Sequence, residues 1–320
     1  MFPRKHVTYG ERRKRLNTKL ILKDMEEIES AFLTESQKLN KKRHEQLMER
    51  TKKLIPELQK AHQQGDFNEV EGLLATLQMP SHKEYKKLMT KLIKSSVEAG
   101  VLRAHSELEK IQKLYSFSED IFEQITGHYA YEVVFPPEAQ VFLENYSLEI
   151  TAITEATVLN AIREVFMQGL TSGTALKELI QLIRECSERW LSQHHAETIA
   201  RTENGKMYNA GRLARYMSPE NKGFVVALQY DSIVDGRTTK ICRHLDGMII
   251  SIGNASVIAE YTPPNHFKCR ATWLPVSKFE EWEDNFDISM KPEKGFDFTA
   301  PLPRLLNGIN REPLVRPRPE

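Results

Sequence analysis

The sequence predicts a mostly helical α+β protein. An extended N-terminal helical region comes first, a compact helical subdomain and a small β-sheet unit follow, and an irregular C-terminal tail ends the chain. Three observations carry this reading. Apolar residues over the first 130 positions recur at helical spacing but in thin stripes. From residue 222 the apolar pattern becomes short, β-branched runs separated by turn residues. After residue 276 periodicity is lost, and the last twenty residues hold five prolines and four arginines. Boundaries are therefore drawn at 1–130, a helical region suited to docking a partner; 131–276, the folded unit; and 277–320, the tail.

Each element has its own signal. In the first, Leu16, Leu20, Met25, Ile28 and Phe32 lie close to one helical face. The stretch "QKLNKKRHEQ" has almost no apolar residue, so it reads as a solvated helix or one that awaits a partner. Pro56 is a candidate kink. The break "QQGDFN" offers Asp66 as an N-cap, and Ser81 with Glu84 has capping-box spacing before a helix over residues 82–115. A helix of this kind, polar and thinly striped, buries little by itself, so a chain lacking residues 1–60 is expected still to fold. "YAYEVVFPPEAQ" marks the boundary, with Pro136 and Pro137 stopping a short β-like run. Helices are expected over 138–150, over 154–168, from Thr174 as cap through the i, i+3, i+4, i+7 set Leu176, Leu179, Ile180 and Ile183, and over 192–216. "FVVALQY", "GMIIS" and "ATWLPV" read as strands, with Asp235–Gly236 and Asp246–Gly247 as turns.

Composition bounds the function. Charged residues make up 28% and the net charge is +1, so the whole-molecule charge points to neither a nucleic-acid nor a membrane partner. Residues 1–60 are uneven, with 16 Lys and Arg against 9 Asp and Glu. Three widely spaced cysteines, Cys186, Cys242 and Cys269, form no disulfide framework and fit a reducing compartment. The N-terminus has no apolar run of a signal peptide, and no stretch of about 18 apolar residues predicts a membrane span.

Three constellations could carry chemistry. The first is Cys242, His244, His266 and Cys269. His266 and Cys269 have a spacing at which one turn presents two ligands, and zinc needs four in a tetrahedron. Against zinc, His244 stands only two residues from Cys242, and Thr239 occupies the position where a C-x2-C pair would begin. The competing reading is a buried structural loop set by Pro263 and Pro264, and the expectation is no metal and no cofactor. The second is the helix carrying Arg201, Glu203, Asn204, Asn209 and Arg212. Arg201 and Glu203 do not share a face, so each reads as a brace, while an enzyme acting on nucleic acid or nucleotides would use Arg201, Glu203, His244 and His266 together. The third is basic: Arg12, Arg13, Lys14 and Arg15, with Lys41, Lys42 and Arg43, are candidate contacts to DNA or to an acidic partner, or simply a solvated face.

Over residues 139–276 the chain resembles the head-morphogenesis family of tailed bacteriophages, the minor head proteins similar to protein F of phage Mu. Four pieces in order carry the resemblance: "GLTSGTALKELIQLI", "IARTENGKMYNAGRLARY", "DGRTTKICRHLDG" and "PPNHFKCR". It implies a virion protein rather than an enzyme: a minor capsid component made in the host cytoplasm and placed in the capsid interior or at the portal vertex. Its implied partners are the portal, scaffold or coat proteins and packaged DNA, with roles in DNA packaging or ejection. Where family members often carry sulfur ligands, this sequence has Thr239 and Ala271. The resemblance therefore implies a structural knot of Asp235, Cys242, Asp246, Gly247, Pro264, His266, Cys269 and Arg270, braced by Arg201, Glu203 and Asn209.

Overall fold

The computed structural model describes the backbone of residues 9–116, 131–296 and 315–317, and the side chains of residues 18–113, 131–296 and 315–316. Eight helices and five strands are described. They are α1 (Tyr9–Gln63), α2 (Phe67–Ala75), α3 (His82–Ser116), β1 (Tyr131–Val133), α4 (Pro137–Thr171), α5 (Leu176–Trp190), α6 (Gln193–Tyr216), β2 (Val225–Ser232), α7 (Lys240–Leu245), β3 (Ile249–Ser251), α8 (Ala255–Tyr261), β4 (Ala271–Ser277) and β5 (Val315–Pro317). The mostly helical α+β class holds, with the three expected strands as a sheet. β2 is central and pairs antiparallel with β3 (Leu228 opposite Ile250) and with β4 (Tyr230 opposite Trp273). β1 and β5 form a separate antiparallel pair.

The chain divides into two compact units, each assembled from separated stretches. One takes residues 1–29, 92–143 and 201–320; the other takes 30–91 and 144–200. The first unit packs the first turns of α1, most of α3, most of α6 and the sheet. Ile21 and Met25 of α1 are buried beside Tyr208 of α6 and Leu274 of β4. α3 and α6 approach to backbone contact. A Cβ added at Gly100 would lie 2.1 Å from the Tyr208 carbonyl oxygen, and one at Gly211 would lie 2.3 Å from that of Val97. Inside this contact Arg212, with no exposure, gives two hydrogen bonds of 3.0 Å to the Glu107 carboxylate and one to the Trp273 carbonyl. Burial pushes the Tyr208 and Tyr216 phenols well up, so both stay protonated and donate, to Asp24 and Glu107 respectively.

The second unit buries Leu47, Met48, Ile55, Leu58 and Ala61 of α1 against Val158, Ile162 and Phe166 of α4 and Leu179 and Ile183 of α5. This corrects the expectation that the polar stretch of α1 stays out of a core. Asn40 and Arg43 of "QKLNKKRHEQ" are buried, and Arg43 is only 1% exposed. Its guanidinium bonds Glu155 at 2.5 Å and the Pro80 carbonyl, and lies over the Tyr85 ring at 4.1 Å. A buried charge needs partners of this kind to offset the loss of water.

Three local expectations change, those for α4, Ser81 and Thr174. α4 is one helix where two were expected: Thr151, Thr154 and Thr157 turn their hydroxyls back onto the carbonyls of Ser147, Ile150 and Ile153, so the polar run needs no break. Pro56 lies inside α1 without ending it. Ser81 does not cap α3; it has φ +53° and its hydroxyl reaches Gln46. Thr174 closes α4 rather than opening α5, its amide bonding the Gly169 carbonyl after Gly173 at φ +66°, and Ala175 is the N-cap of α5. Asp66 caps α2 as expected, accepting from the Glu69 amide at 3.0 Å.

Candidate functional site

The end of β2, α7 and residues 262–270 meet in one corner of the first unit. Each piece is locked by short-range polar chemistry. After β2, Asp235 accepts from the Arg237 amide at 2.8 Å, and Thr238 donates to the Ile233 carbonyl while accepting from the Asp235 amide. These bonds fold residues 233–238 back and start α7. α7 then stops within six residues. Its Asp246 side chain accepts from the Ser232 amide at 2.9 Å, and Gly247, at φ +85°, donates its amide to the Tyr230 carbonyl and leads into β3. Only glycine takes that left-handed conformation without strain.

The opposing segment carries a cis peptide at Pro263–Pro264. Asn265 follows, fully buried, donating to the Tyr230 hydroxyl at 2.8 Å. Arg270 closes the corner with two bonds to the Asp235 carboxylate, at 2.8 and 2.6 Å. That pairing, helped by the Arg237 amide, holds the Asp235 carboxyl well below the usual carboxylate range.

Between the two segments lie three soft donors. The Cys242 Sγ is 3.2 Å from His266 Nε2, 3.5 Å from Cys269 Sγ and 3.5 Å from the Tyr230 hydroxyl. All three residues are buried. His266 Nδ1 donates to the Phe267 carbonyl at 2.8 Å, which leaves Nε2 to face the sulfur. The Cys269 hydrogen bond, opposed by burial and supported by His266, holds the Cys242 thiol well below its ordinary value, while the Cys242 bond and burial push Cys269 up.

Asp235, Cys242, Asp246, Gly247, Pro264, His266, Cys269 and Arg270 all lie on these segments, with Tyr230, Ser232, Thr238 and Asn265 bonded among them. Tyr230 ends the "FVVALQY" strand, but nothing in its spacing says that its hydroxyl meets a cysteine. His244 is not in the cluster; its Nε2 lies 3.0 Å from Asp287. Arg201 bonds Glu29 of α1 at 3.1 Å and shares a cavity of about 350 Å³ with His266, Cys269 and Arg270. Glu203 is buried on α6 and does not line that cavity. Of the four groups an enzyme would use, Arg201 and His266 thus share one cavity, while Glu203 and His244 are not among its lining residues. Asn209 braces α6 to β4, donating to the Ala271 carbonyl and accepting from Thr272. Of the basic candidates, Lys41 and Lys42 are exposed and Lys42 faces Glu84 at 3.6 Å. Arg43 is corrected to a core ion pair, since its charge is spent inside the unit. The side chains of Arg12, Arg13, Lys14 and Arg15 lie outside the described ones.

Residues 160–274 match the family described as phage Mu protein F like protein. Over that stretch the chain is similar to phage Mu F-like proteins. The Mu F-like segment spans roughly a third of the chain and contains the whole corner from Asp235 to Arg270. α1, α2 and α3 lie outside it. No curated protein and no solved structure matches the chain. Among the described residues, no helix is long and apolar enough to cross a membrane.

Proposed function

We propose that the protein is a minor capsid component that works in head assembly. It docks on the portal, or on another head protein such as scaffold or coat, and takes part in DNA packaging or delivery. Its place is the virion, in the capsid interior or at the portal vertex. The observation that supports this reading is the match of residues 160–274, which falls on the interlocked corner. There Asp235, Arg270, Asp246, Gly247 and Pro264 act as fasteners on this reading. Residues 1–130 supply the docking face on this reading, with Lys41 and Lys42 pointing to an acidic partner surface or to packaged DNA.

The test is chemical crosslinking in purified procapsids, followed by identification of the joined peptides. Crosslinks from this chain to the portal are expected. A chain absent from purified heads, or a nuclease activity abolished by His266→Ala without loss of folding, would overturn the assignment.

A further inference from the structure

We propose that Cys242, His266 and Cys269 bind a thiophilic divalent cation, zinc foremost, with the fourth coordination position open to the adjoining cavity. This goes beyond the role in head assembly and does not depend on it. The sequence argued against a metal because His244 and Thr239 made a poor fourth ligand. The fold removes His244 from the question and brings the other three together.

The geometry decides among three readings of the cluster. The Sγ and Nε2 atoms all lie within 4.8 Å of one another. A tetrahedral zinc with Zn–S of about 2.3 Å and Zn–N of about 2.0 Å separates two sulfurs by roughly 3.8 Å, and sulfur from nitrogen by roughly 3.5 Å. The observed separations from Cys242 are 3.5 Å to sulfur and 3.2 Å to nitrogen, each about 0.3 Å inside those values. An outward movement of about 0.3 Å along each of these two separations would admit the ion. A disulfide between the same sulfurs would have to close to about 2.05 Å, a much larger movement in a corner pinned on both sides. A plain hydrogen-bonded knot would not require three soft donors to converge, and carbon or oxygen groups would pack there as well.

Two further features fit a metal centre. His266 is held by its Nδ1 on the Phe267 carbonyl, the outer contact that fixes the ring of a ligating histidine and aims Nε2 at the ion. The Cys242 carbonyl accepts from Ser232, and Cys269 precedes the Arg270 anchor, so both sulfurs sit on fixed backbone. The cavity beside them is lined by His266, Cys269 and Thr239. The buried Thr239 hydroxyl has no hydrogen-bond partner. A buried orphan of this kind calls for a water or an ion, and a water at the open position would serve it. A donor set of two sulfurs and one imidazole selects zinc or cobalt(II) over magnesium or calcium, which take oxygen.

The test is a cobalt(II) titration of the reduced, full-length protein. The expected result is one cobalt per chain, with the intense visible bands of tetrahedral cobalt and a near-ultraviolet thiolate-to-cobalt band, both bleached by one equivalent of zinc. Cys186→Ser should leave the spectra unchanged. Cys242→Ser and Cys269→Ser should each weaken binding at least as much as the ten- to hundredfold that loss of an outer contact costs, and each should lower the thiolate band. Thr239→Cys should tighten binding and raise that band by supplying a third sulfur. Reduced wild-type protein that is folded yet shows neither band at saturating cobalt overturns the proposal. So do bands that persist in the Cys242→Ser, Cys269→Ser double variant.

Discussion

Arg43 and its neighbours Lys41 and Lys42 are alike in sequence and opposite in structure. All three sit in one basic run, yet the two lysines are exposed and the arginine is enclosed by Glu155, Pro80 and Tyr85. The sequence cannot distinguish them, because the partner that buries Arg43 stands 112 residues away. Burial tends to strip the proton from Arg43 and lowers its pKa, while Tyr85 and Glu155 oppose this and keep the cation in place. Removing one member of such a pair leaves the other charge buried alone. Arg43→Ala is therefore expected to cost about 3–5 kcal/mol in denaturant unfolding. Lys41→Ala and Lys42→Ala should each stay within about 0.5 kcal/mol. Equal effects for all three would mean that Arg43 is solvated. The corner cluster was more legible than Arg43, because "DGRTTKICRHLDG" and "PPNHFKCR" each fold on themselves and carry their own turn residues. Which of its polar groups point inward was not, since Tyr230 is placed by the pairing of β2 with β4 and Thr239 by the turn that starts α7.

At the scale of elements, helices were visible wherever a stripe was strong, and their ends wherever a glycine took a left-handed turn. The continuity of α4 was hidden because its threonines are neutral in propensity and become helical only by bonding their own backbone. The crossing of α3 and α6 was hidden for a different reason: nothing in the sequence pattern says that Gly100 and Gly211 let two backbones touch. Gly211→Ala would press its methyl group against the Val97 carbonyl, and backbone cannot yield as a side chain can. A loss of about 1–3 kcal/mol or more is expected, whereas Gly72→Ala, with open space around it, should be neutral or slightly stabilising. An equal gain at both sites would show that the helices do not touch. A second element-level prediction concerns His44, which joins α1 to Ser187 of α5 at 2.8 Å. Burial lowers its pKa; Glu188 acts against this, and Arg184 with it. The unfolded chain therefore takes up the proton more readily than the native one. Stability contributed by neutral His44 is complete above about pH 6.5 and is lost as the pH falls from there toward the lowered native value. His44→Gln should flatten the fall of melting temperature between neutral and mildly acidic pH. His105 and His195, also lowered by burial, keep part of the slope in the variant. An unchanged slope would mean that His44 titrates as a free imidazole.

For the whole molecule, the decisive element is α1. Read as a sequence it is a polar arm, dispensable to folding and free for a partner. In the structure it gives Ile21 and Met25 to the core of one unit and Leu47, Met48, Ile55, Leu58 and Ala61 to the core of the other. Burying each large apolar side chain is worth about 1.5–3 kcal/mol, so these residues together contribute on the order of ten kcal/mol or more. A domain has only about 5–15 kcal/mol of net stability. Deleting residues 1–60 should therefore abolish cooperative unfolding rather than yield a trimmed, folded chain, and the failure of such a chain to enter procapsids would say nothing about docking. Docking has to be read from substitutions that spare the cores. Lys41→Glu with Lys42→Glu reverses two exposed charges and should leave the melting temperature nearly unchanged. If the face they occupy meets packaged DNA or an acidic protein surface, incorporation into heads should fall while folding stays intact. Loss of DNA binding that steepens with added salt would point to phosphate as the partner. A deletion of residues 1–60 that still melts in a single sharp transition would return α1 to the role of a free arm.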